Sequence, residues 1–161
     1  MPIYFYLLHA LPESLLMSYV GYGLLGIKLE KKQLLLHAII YWLGGVLFRS
    51  LECLFGWHVL LLIALYALLG VILVQVPIQV SFCAASLAFL CLALGEFALA
   101  MPVATLLGWS SQQVVESQTL SIVVGWMSIS ILLVLVFAIW RFNLVLVNAS
   151  VLGYKPRQGK M

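Results

Sequence analysis

Charge is what this sequence has least of: 8% of its 161 residues are Asp, Glu, Lys or Arg, against roughly a quarter in a soluble globular domain. Water is thereby excluded as its main solvent. Met1 to Leu8 lacks the basic stretch of a secretion signal and is followed by no small-residue cleavage site, so this segment is expected to stay as an anchor. Cys53, Cys83 and Cys91 form no CxxC pair, and two of them sit in apolar runs where Cys behaves as a small hydrophobe. A disulfide framework is not expected. Also missing are HExxH, Gly-x-Ser-x-Gly, a glycine-rich phosphate loop, internal repeats and any linker. These absences favour one domain without cofactor or enzymatic role.

What is present is apolar length. Hydrophobic residues make up 65% of the chain, gathered in five runs, several near the roughly 20 residues that cross a hydrocarbon core as a helix. A transmembrane barrel needs strands with a polar face, and Leu120 to Trp140 is apolar on every side. The expected fold is all-α: a polytopic membrane bundle with spans near 3–27, 34–48, 58–76, 78–101 and 120–140, then a short basic tail, 142–161. Lys28, Lys31 and Lys32 mark one loop, and Arg141, Lys155, Arg157 and Lys160 follow the last span. Basic residues are retained in the cytoplasm, so the N-terminus is expected outside and the C-terminus inside, with only Arg49 on the outer side. The bilayer is the expected partner. Four basic tail residues make no nucleic-acid face.

Several local signals fix element ends and faces. Pro12 should kink or restart the first helix, and Pro77 should stop the third. Ser81, Ala84, Ala85 and Ala88 form a small-residue stripe on span four, repeated as Ser121, Gly125 and Ser128 on span five. Ser110 or Ser111 is placed to cap a short interfacial helix, and Gly153 with Pro156 to end the last one. Trp42, Trp57, Trp109 and Trp140 lie where an aromatic belt would put them; Trp126 does not.

A carboxylate inside a span costs at least about 2.5 kcal/mol, so each calls for a partner or a function. Glu13 and Glu96 are the two, and the expected topology puts both in the outer half of the membrane, with His9 one turn before Glu13. Arg49, Glu52 and His58 fall at the same interface. The cluster His9, Glu13, Arg49, His58 and Glu96 reads either as a structural ion pair or as a site for a cation, proton or polar headgroup. Metal ligation by His9, Glu13, His58 and Glu96 lacks any diagnostic spacing, and Cys83 with His37 lacks the orienting acid of a thiol nucleophile.

Four stretches carry a resemblance. Leu8-His9-Ala10-Leu11-Pro12-Glu13, Phe48-Arg49-Ser50-Leu51 with Leu54-Phe55-Gly56-Trp57-His58, the run from Val76-Pro77 to Leu94-Gly95-Glu96, and Leu107-Gly108-Trp109-Ser110 to Val115 are the segments. Together they resemble the N-terminal membrane domain of Gram-positive sensor histidine kinases of the GHKL type, over about residues 3 to 141. The resemblance implies a bacterial plasma-membrane protein that receives a signal and passes it through its last helix, with His9, Glu13, Arg49, His58 and Glu96 as the matched polar positions. The chain departs from that family after Arg141, where 20 residues leave no room for a kinase. The expectation is a non-enzymatic sensor or regulatory subunit for a small or amphiphilic ligand, associating with a histidine kinase or with itself. The rival is a transport component carrying a proton, cation or small solute on Glu13 and Glu96.

Overall fold

The computed structural model describes residues 9–50, 57–110, 113–114 and 117–154, leaving aside the side chains of 49, 50 and 118. The described residues are all helix and turn, with no strand. The principal helices are α1 (Leu11–Gly23), α2 (Lys31–Ser50), α3 (His58–Leu69), α4 (Ile78–Gly95), α5 (Met101–Leu106) and α6 (Gln118–Phe142). A 3₁₀ turn, Ala149–Leu152, follows.

Prolines mark the boundaries. Pro12 sits in the first turn of α1, directly after two residues in π-helical conformation, so the α-helix restarts there rather than running straight through. At the end of α1 the chain turns through Gly26, whose φ of 73° suits a residue without Cβ. Helix α3 widens into a π segment, Gly70–Val74, and ends on Gln75 in the left-handed region, φ 60° and ψ 40°. Pro77 then opens α4 as its N-cap residue, in extended conformation.

Pro102 does not end the fourth span. It has no N–H to donate, and in a regular α-helix its ring would crowd the carbonyl of Ala98, four residues back. The chain absorbs this with a π turn over Glu96–Ala100, where the Met101 N–H reaches the Glu96 carbonyl, and continues as α5. The signals at Gly153 and Pro156 are likewise pre-empted: α6 stops at Asn143, which takes φ 50° and ψ 44°. Asn tolerates that left-handed position better than most residues. Ser110 caps as expected, its Oγ accepting from the Gln113 N–H at 3.2 Å while Gln113 Oε1 accepts from the Ser110 N–H at 2.9 Å.

Helices α1, α2, α3 and α4 pack in a closed cycle, each against the next and α4 against α1, and α6 lies on the seam between α1 and α4. The stripe Ser81, Ala84, Ala85 and Ala88 is fully buried and lets α1 approach closely. Gly95 of α4 lies so close to the Ser128 backbone of α6 that a Cβ would overlap it.

The outside of this bundle is oily. Leu43, Leu60, Phe82, Leu90, Val134 and Phe137 are exposed, while Glu13, Ser14, Ser18, His37, Ser81 and Ser128 are buried. Two helices, Ile78–Leu106 and Thr119–Phe142, are long and apolar enough to cross a membrane, and 28% and 17% of their most apolar windows are buried. A core helix of a water-soluble protein would hide most of such a surface. His58–Val74 is a shorter apolar helix.

Candidate functional site

His9 lies one turn before Glu13, and its Nδ1 stands 3.3 Å from the Glu13 Oε2, both side chains almost fully withdrawn from solvent. The imidazole also rests on α6. A Cβ on Gly125 would overlap His9 Nε2, so the absence of a side chain there lets the Nε2 edge of the ring approach the last long helix. Beside Glu13 is a cavity of about 20 Å³, lined by Ala10, Ser14, Tyr41, Trp42, Gly45 and Leu62 among others. That is room for one water or an ion of similar size.

The other members of the sequence-derived cluster are arranged differently. Gly95 packs on Ser128, about one turn along α6 from Gly125, so Glu96 lies near the level of His9. Its carboxylate points outward and is exposed, and it has no ion pair or hydrogen bond with any described residue. Glu13 and Glu96 are therefore on opposite sides of the helix wall, one inside and one outside. His58 is half-buried at the start of α3, one turn from the cavity-lining Leu62. The Arg49 side chain, Glu52 and Cys53 lie outside the described residues. Among the described residues no three His, Cys, Asp or Glu side chains come together to hold a metal, and Cys83 and Cys91 are free.

A second polar centre escaped the sequence reading. His37 of α2 is completely buried, with Nδ1 2.9 Å from Ser18 Oγ of α1. Ser18 Oγ is also 2.7 Å from the Ser14 carbonyl, which takes its single hydrogen. The Ser18 oxygen is left to accept, so Nδ1 of His37 is the donor and Nε2 carries the lone pair. That lone pair has no hydrogen-bond partner. Around the imidazole stand Tyr66, ring centroid at 4.5 Å, Tyr22 at 5.6 Å and Tyr41 at 6.5 Å. Tyr22 meets Ser81 of α4 at 3.0 Å, and the Tyr66 hydroxyl donates to the Met17 carbonyl at 3.1 Å. One polar knot thus joins α1, α2, α3 and α4. A signal for it was present in the i, i+4 spacing of Ser18 with Tyr22 and of His37 with Tyr41, which puts polar and aromatic groups on one face of each helix.

Comparison with protein-family models, with curated proteins and with solved structures finds no match. The class defined by the fold is an all-helical protein with two helices able to span a membrane and an apolar core that encloses six polar side chains among the described residues.

Proposed function

We propose that the chain is a polytopic protein of the bacterial plasma membrane, five spans with the N-terminus outside and the C-terminus inside, acting as a non-enzymatic sensor or regulatory subunit. Its input is the His9–Glu13 pair and its output is α6. The observation that carries this reading is the seat of the His9 ring on Gly125, which joins a titratable pair directly to the last long helix. A proton or small cation arriving at Glu13 competes with the imidazole for the carboxylate. When the ring leaves its seat, α6 loses one of its contacts with this end of α1 while the Gly23–Ile139 contact at the other end stays. The resemblance to kinase membrane domains suggests the receiver: a kinase-bearing chain that contacts α6.

Two measurements test this. In reversible unfolding in mixed micelles, Gly125→Ala should cost about 1–3 kcal/mol through overpacking, and much less in a His9→Ala background. Equal costs in both backgrounds would show that the ring and α6 are not coupled. Crosslinking in native membranes followed by affinity capture should recover a kinase-bearing protein, with recovery altered by Glu13→Gln. Recovery of the chain alone, or only with copies of itself, would overturn the sensor reading. The water-sized cavity beside Glu13 favours one second reading, transfer of a proton or small cation, for which Glu13→Gln should abolish flux in proteoliposomes.

A further inference from the structure

Where α1 ends and α6 ends, the structure leaves a cleft of about 420 Å³ at the opposite end of α1 from the His9–Glu13 pair. Tyr19 and Gly23 form one wall, Trp140 and Ile139 the other, and Asn143 and Val145 of the segment after α6 close it below. Its volume falls within the range of small-molecule sites, roughly 300–1,000 Å³. The lining is mostly aliphatic and aromatic, and one cation stands at its edge: Lys28, exposed and without an ion pair among the described residues. Lys31, Lys32 and Arg141 stand near the same end, with Glu30 the one described carboxylate in that loop.

We propose that this cleft binds one anionic phospholipid of the cytoplasmic leaflet, an acyl chain lying between α1 and α6 and the phosphate meeting Lys28 and Asn143. The argument is charge complementarity at the mouth of an apolar groove. An ammonium with a phosphate at the interface satisfies both charges, while the chain fills the cleft beside the close Gly23–Ile139 contact and covers Trp140. A neutral headgroup offers Lys28 no net attraction. The inference rests on the proposed membrane placement and orientation, which the test separates from the site itself.

The full chain is placed in phosphatidylcholine vesicles containing a minority of phosphatidylglycerol, with bromine on the acyl chains of one lipid or the other. Quenching of the Trp140 component is read as the difference between the chain and its Trp140→Phe variant. The expected result is a preference of about fivefold for phosphatidylglycerol, the scale set by one interfacial lysine. Lys28→Gln should abolish it, Lys28→Arg should keep it, and Lys31→Gln, outside the cleft, should leave it unchanged. Equal quenching by the two lipids, or equal loss in Lys28→Gln and Lys31→Gln, overturns the site while the membrane reading stands. No quenching by either lipid overturns both.

Discussion

His37 shows how a single buried side chain can be half satisfied. Its Nδ1–H is used by Ser18 and its Nε2 lone pair meets only aromatic surroundings. Replacing both partners of a buried hydrogen bond by apolar groups of similar shape is close to neutral, because the desolvation cost leaves with them. His37→Phe combined with Ser18→Ala is therefore expected to change stability by less than about 1 kcal/mol in mixed-micelle unfolding, whereas His37→Ala, which opens a cavity among the tyrosines, should cost about 2–4 kcal/mol. A large loss in the double variant would mean that Nε2 holds a partner worth keeping. At this scale the sequence was readable only in part. His9 and Glu13 are one turn apart on one helix, so their meeting follows from the helical repeat alone. The His37 knot draws its members from four helices, and no spacing along the chain encodes which helix becomes neighbour to which.

At the scale of elements, local chemistry was legible where it works within one turn. Pro12 and Ser110 act where the sequence places them, and the third helix ends at Gln75, within the Gln75–Pro77 turn expected to stop it. Other stops were harder to read: Asn143 ends α6 ahead of Gly153 in a conformation its residue type does not demand, and Pro102 is accommodated by a π turn. Gln75 holds a left-handed backbone that costs an L-residue roughly 1–2 kcal/mol. Gln75→Gly should thus stabilise the protein by about 0.5–1 kcal/mol after the added freedom of the unfolded chain is counted, and Gln75→Val should destabilise it by a similar amount or more. Thermal unfolding of the three forms in detergent checks the order. Gly highest and Val lowest is expected, and any other order would show that the turn is not held in that geometry.

For the whole molecule, the distribution of polarity matters most, with carboxylate, imidazole and hydroxyls inside and leucine and phenylalanine outside. Composition made that legible, since a chain with so few charges has little polar surface with which to meet water. The proposed orientation follows from Lys28, Lys31, Lys32 and Arg141 at one end. With Cys53, Cys83 and Cys91 replaced by Ala, a membrane-impermeant maleimide on intact cells should label Thr119→Cys and reach Glu30→Cys only after permeabilisation. Labelling of both from one side would contradict the five-span arrangement.

The segment after α6 folds back on the end of α1: Leu146 and Val147 donate to the Leu24 carbonyl at 2.8 and 3.2 Å, and Ala149 donates to the Leu25 carbonyl at 3.2 Å. Carbonyls at the end of a helix have no partner of their own kind. During synthesis these two must wait, hydrated, until more than 120 further residues have left the ribosome. The end of α1 is then completed by residues made long after it, so a ribosome that stalls within α6 releases a chain in which the end of α1 has never been closed.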